Sequence, residues 1–100
     1  MEKIINKELR KYCDELLQKI NEINTKNNTY IVSKPHICIY EKDTISVEWE
    51  EDEFTLILNF SEDTDDILVY YKQKNEKAYA KHIERDKILK HVEKIFKREI

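Results

Sequence analysis

Residues 47 to 60 read VEWEEDEFTLILNF, and the order of apolar and charged positions in this stretch decides the fold. On its near side Ile45, Val47 and Trp49 alternate with Ser46, Glu48 and Glu50; on its far side Phe54, Leu56, Leu58 and Phe60 alternate with Thr55, Ile57 and Asn59. A period of two is that of a strand, whose successive side chains point to opposite faces. Folding the stretch about Glu51-Asp52 predicts a hairpin with Trp49 opposite Phe54, Val47 opposite Leu56 and Ile45 opposite Leu58, every large apolar side chain on one face. Glu50, Glu51, Asp52 and Glu53 then crowd the tip, the part that stays in water. Like charge there also discourages the hairpin from pairing edge to edge with another chain.

Working outward from the hairpin, residues 61 to 66 (SEDTDD) read as a second acidic turn. It leads into a strand over 67 to 73, where Ile67, Val69 and Tyr71 extend the apolar face opposite Phe60, Leu58 and Leu56. Lys74-Asn75-Glu76 reads as the next turn. Residues 77 to 84 (KAYAKHIE) form either a further strand or the start of the last helix. From Asp86, read as an N-cap, Ile88, Leu89, Val92, Ile95 and Phe96 recur at helical spacing to the C-terminal end. Toward the N-terminus, residues 30 to 33 and 36 to 40 are β-rich, but Pro35 lacks an N–H and predicts a broken or edge strand. Residues 2 to 24 carry Ile5, Leu9, Tyr12, Cys13, Leu16, Ile20 and Ile23 at steps of three and four, one amphipathic helix ending in the polar run 25 to 29. The fold class is therefore α+β: an N-terminal helix, an antiparallel β-meander of four to five strands and a C-terminal helix, in two layers.

At 100 residues and 40% apolar content the chain supports one domain with one core. Glycine is absent, and positions of positive φ would fall to residues such as Asn27, Asn28, Asp52 or Asn75. Phosphate-cradling loops and dinucleotide turns require glycine for close backbone approach, so P-loop and Rossmann chemistry is excluded and no nucleotide cofactor is expected. The two cysteines, Cys13 and Cys38, lack metal-binding or redox spacing and read as reduced thiols, which points to the cytoplasm. The start of the chain, MEKIINKELR, reads as an amphipathic helix and not a secretory signal, and no membrane association is expected.

Charge is distributed unevenly. Residues 1 to 40 carry a balance of +2, residues 41 to 66 of −10 and residues 67 to 100 of +5, a polarity that the net −3 conceals. Lys87, Lys90, Lys94 and Lys97, with Arg85 and Arg98, form a basic stripe on the last helix; Glu84, Glu93 and Glu99 dilute it, and no nucleic-acid signature accompanies it. Asp63, Asp65 and Asp66 offer oxygens to a hard cation but lack the mid-loop glycine and distal glutamate of a calcium loop, so no metal is expected. His36 and Cys38 point the same way along a strand without completing a ligand set or a nucleophilic site, and His82 and His91 read as surface groups. No pair of carboxylates sits in an evidently apolar setting, so the chain is read as no enzyme.

The sheet face away from the helices carries Ile57, Leu68 and Tyr70 at its centre, with Glu48 and Lys72 in its rim and Ile37 and Ile39 joining it. An apolar centre with a polar rim is the composition of a protein interface. The functional expectation is a small protein-binding factor of inhibitor, immunity or accessory type. A protein partner with a basic surface would be engaged through the tips Glu50, Glu51, Asp52, Glu53, Asp63, Asp65 and Asp66 and the face residues Glu48, Ile57, Leu68 and Tyr70. The alternatives are a nucleic-acid-binding module using the basic helix, and a homodimer formed through the sheet.

Overall fold

A computed structural model describes residues 7–27, 35–40, 44–61 and 65–96. The elements follow in the order α1 (Lys7–Asn27), β1 (His36–Tyr40), β2 (Thr44–Glu50), β3 (Phe54–Ser61), β4 (Asp66–Gln73), β5 (Tyr79–Glu84), a single 3-10 turn (Arg85–Lys87) and α2 (Ile88–Phe96). The strands form one five-stranded antiparallel sheet in the order β1-β2-β3-β4-β5, with each strand beside its sequence neighbours. The α+β meander between two helices is the architecture the alternating pattern predicts. Residues 79 to 84 belong to the sheet as its fifth strand and not to the last helix. The expected strand at residues 30 to 33 lies outside the described residues, as do residues 2 to 6 of the first helix.

The central hairpin forms with a register different from the expected one. Trp49 pairs with Leu56, Val47 with Leu58 and Ile45 with Phe60, two residues further along than a bend at Glu51-Asp52 would give. The Glu51 N–H donates to the Phe54 carbonyl at 2.8 Å, so the bend is centred one residue later, on Asp52-Glu53. Moving the bend by one residue moves the pairing by two, and a shift of two leaves every side chain on its original face. The later bend also gives Phe60 a partner within β2, and it frees Phe54 to meet Tyr71, ring centroids 5.9 Å apart.

Both helices lie over the face that carries Ile45, Val47, Trp49, Phe54, Leu56, Leu58, Phe60, Ile67, Val69 and Tyr71, and a single apolar cluster joins the two layers. From α1 it takes Leu9, Cys13, Leu16 and Ile20, at steps of four, three and four; from α2, Ile88, Val92, Ile95 and Phe96. Each of the fully enclosed aliphatic side chains stabilises the fold by about 1.5–3 kcal/mol relative to leaving it in water. Cys13 is part of this cluster, and burial pushes its thiol up to about 11.

Asp86 is not an N-cap: the chain leaves β5 through an extended Glu84 (φ −62°, ψ 146°), which makes no side-chain capping bond, and turns through Arg85–Lys87 before α2 begins. Arg85 accordingly lies over the Tyr12 ring, 4.5 Å from its centroid, and joins the packing against α1 instead of the basic stripe. Between β4 and β5 the Glu76 N–H bonds to the Gln73 carbonyl at 3.1 Å, and Asn75 sits at φ 67°. A positive φ at the third residue of a four-residue turn is the type II pattern, and in a chain without glycine asparagine is the side chain that tolerates it best. Asn75 is the one positive-φ position among the described residues; Asp52 and Asn27 keep negative φ, and Asn28 is outside them.

Candidate functional site

Among the described residues no helix lies over the opposite face of the sheet. Antiparallel pairing places directly opposed residues on the same face, so the open face can be read off the register in rows. One row runs His36, Glu48, Ile57, Tyr70, Ala80; the next runs Cys38, Ser46, Asn59, Leu68, His82; a third holds Glu50, Thr55 and Lys72. Each full row crosses five strands, about 19 Å at the usual strand spacing. Ile57, Leu68 and Tyr70 are neighbours at the centre and half-buried by each other, while His36, Lys72, Ala80 and His82 are exposed around them. Ser46, at 8% exposure, is the buried polar residue of this face.

Ile37 and Ile39 do not join this face. They pair with Val47 and Ile45, which puts them on the helix side, where they remain 42% and 46% exposed because β1 is the outermost strand. The alternation within HICIY fixes only that Ile37 and Ile39 share a face; which face depends on the register against β2, and that register places His36 and Cys38 outward instead. These two, with Ala80 and His82, are the rim residues the sequence reading missed. A strand whose start is set by Pro35, paired antiparallel to β2, is the signal that would have found them.

The acidic residues separate into two groups. Glu50, Asp52 and Glu53 are exposed and Glu51 half-buried at the β2–β3 turn, whereas Asp65 (exposed) and Asp66 (half-buried) lie at the β3–β4 connection. These turns are at opposite ends of β3, whose eight residues span about 25 Å, so the structure does not bring them together. Asp63 lies outside the described residues. At the Glu50 end the acids have basic neighbours, since the β4–β5 turn lies at the same end and the Lys74 N–H donates to the Glu53 carbonyl at 2.8 Å. At the other end Asp66 faces Glu84, and Glu84 is in turn 3.8 Å from Lys87. The charge block that looks continuous in the sequence is thus divided by the meander.

Lys87 in the 3-10 turn and Lys90 and Lys94 on α2 are exposed, on the helix layer and therefore on the side of the molecule away from the open face; Lys97 and Arg98 lie outside the described residues. Among the described residues no group of three or more His, Cys, Asp or Glu comes together to hold a metal ion, and no helix is long and apolar enough to cross a membrane. A depression between the acidic turn and β4, lined by Glu53, Phe54, Tyr71, Gln73 and Lys74, measures about 140 Å³. Small-molecule sites usually enclose upward of about 300 Å³, so this hollow is too small to seat one.

His91 is not a surface group. It is half-buried and shares a hydrogen bond with the Tyr79 hydroxyl at 3.2 Å, its ring 6.3 Å from that of Tyr79. Burial first, then the positive charges of Lys81 and Lys94, hold its pKa below the ordinary histidine value of 6.5. The folded chain thus binds the His91 proton less readily than the unfolded chain. Its contribution to stability is complete above pH 6.5 and declines as pH falls through that value toward the lower folded pKa. Urea midpoints measured from pH 8 to pH 5 are expected to drop through this window less steeply for His91→Gln than for the natural chain. Identical slopes would mean that the buried imidazole is not what couples folding to pH.

Compared with protein-family models, curated proteins and solved structures, the chain matches none of them.

Proposed function

We propose that the chain is a small non-enzymatic protein-binding factor, of inhibitor, immunity or accessory type, whose partner seats on the open face of the sheet beside the Glu50–Glu53 turn. The observation that carries this reading is the contiguity of Ile57, Leu68 and Tyr70 on a face that no described helix covers, half-exposed and bordered by Glu48, Asn59, Lys72 and His82. A tyrosine flanked by aliphatic side chains supplies rigid contact area and one hydrogen-bonding hydroxyl, the composition of an interface centre. Glu50 extends that face, sharing the row of Thr55 and Lys72, so a partner covering Tyr70 also approaches the acidic turn. The mechanism is occlusion: negative charge speeds encounter with a basic surface, and the apolar centre slows release. Because the two acidic turns are a strand length apart, the reading assigns the contact to the Glu50–Glu53 end and gives Asp65 and Asp66 no part in it.

The test is capture from the host by the immobilised chain, followed by titration of the captured protein. Leu68→Glu and Tyr70→Ala are expected to weaken affinity about 30-fold or more, the effect of losing an interface centre worth about 2 kcal/mol, with an unchanged thermal melt. Replacing Glu50, Glu51, Asp52 and Glu53 by their amides is expected to slow association and flatten its salt dependence while leaving dissociation nearly unchanged. Affinity that survives both face substitutions would overturn the reading. A second reading rests on the exposed line Lys87, Lys90 and Lys94. Retardation of a generic DNA or RNA at physiological salt, lost when these three lysines are changed to glutamine, would favour it.

A further inference from the structure

We infer that strand β1 is the pairing edge for a second copy of this chain, the two copies meeting antiparallel about a two-fold axis at Cys38 so that their sheets run on as one. Among the described residues the strand is bonded to β2 on one side only, and no described strand meets the other line of its backbone donors and acceptors. Such an edge is normally blunted by charge. Here it is not: from Pro35 to Tyr40 there is no charged residue, in a chain of which 39% is charged. The other edge, β5, carries Lys81 and Glu84. Two copies, each with a net charge of −3, therefore meet at β1 without opposing like charges.

The occupant follows from the symmetry of the strand. A two-fold contact must be self-complementary. Ile-Cys-Ile reads the same from either direction about Cys38, so the axis sets Ile37 of each copy opposite Ile39 of the other and Cys38 opposite Cys38. Ile37 and Ile39 are the exposed large apolar side chains among the described residues, at 42% and 46%, and both point to the helix side. Opposed residues share a face, so four isoleucines would close over the seam between two helix layers. About four to six backbone hydrogen bonds would form along a five-residue antiparallel strand pair. A seam this short buries less than the ~1,000 Å² of a stable interface, so the dimer forms in a concentration-dependent way. The open faces of the two sheets would lie side by side on the other surface.

Sedimentation equilibrium of the full chain from about 10 µM to about 1 mM tests this, with the mass expected to rise from 12.2 kDa toward twice that value. Ile39→Lys and Ile37→Lys place a charge on already exposed positions, where folding tolerates it, and are expected to weaken dimerisation more than ~30-fold with an unchanged circular dichroism melt. A short bifunctional thiol reagent added to the reduced chain is expected to give a covalent dimer linked Cys38 to Cys38. Cys13 is enclosed in the core and its thiol is pushed up to about 11, so it stays unmodified. The lysine variants should lose the cross-link along with the mass increase. A mass fixed at 12.2 kDa up to 1 mM, or a dimer that persists in the double lysine variant, overturns the proposal.

Discussion

Leu58→Ala is expected to destabilise the fold by about 2–5 kcal/mol, lowering the urea midpoint by on the order of 2 M. Leu58 is fully buried in the central strand, with Val47 on one side and Val69 on the other, themselves fully buried. Truncation leaves a cavity that neighbours held in a hydrogen-bonded ladder cannot collapse into, and the loss is then transfer energy plus cavity energy. Domains of this size are stable by only about 5–15 kcal/mol, so one such change removes a large share of the margin. Ile57→Ala, one position away, should cost less than about 1 kcal/mol, because Ile57 lies half-exposed on the open face. The contrast between adjacent positions is the informative quantity. Equal losses at 57 and 58 would mean that both faces of the sheet are core, and the interface reading would fall with that result.

Phe96→Ala is expected to cost about 3 kcal/mol and to loosen the last turn of α2 from the sheet. The Phe96 ring meets Trp49 edge to face at 6.0 Å and Phe54 at 6.3 Å, and Phe54 in turn packs against Tyr71. One aromatic cluster thus fastens the end of α2 to the hairpin beside the acidic turn. Trp49, 3% exposed, is the one tryptophan in the chain, so its fluorescence reports the surroundings of this one side chain, the Phe96 contact among them. In the variant the emission should shift to the red in the native state, before any unfolding, as water reaches the indole. An unchanged emission maximum would mean that other side chains hold the layer closed without Phe96.

The fold was legible because its two periods are clean. Alternation over 45 to 60 and 67 to 71 assigned each apolar side chain to the buried face, and the spacing of Leu9, Cys13, Leu16 and Ile20 assigned the helix that covers it. The exact bend was not legible. Asp52 and Glu53 are as suited to a turn as Glu51, and both centrings keep the apolar set together, so the pattern cannot choose between them. Pairing of Ile45 with Phe60 and the later closing bond at Glu51 decide it, and both depend on three-dimensional packing.

The candidate site was legible to the same degree and for the same reason. Ile57, Leu68 and Tyr70 follow from parity alone, since each alternates with a core residue. What parity could not supply is the arrangement at the margins. Ile37 and Ile39 went to the helix side because a neighbouring strand, not their own sequence, sets their face. Residues 50 to 53 and 65 to 66 look like one acidic block in the chain, yet the return of β3 carries them to opposite ends. His91 reads as polar in a helix, but its position against Tyr79 on β5 depends on how α2 crosses the sheet.

Because every strand lies beside its neighbours in sequence, the meander can assemble by successive local steps, each closing only a short stretch of chain. Contact between α1 and α2 is different in kind: it joins helices separated by about sixty residues of chain, on the same side of the sheet. The expected consequence is that substitutions at the α1–α2 contact act mainly by speeding unfolding, while those within the sheet also slow folding.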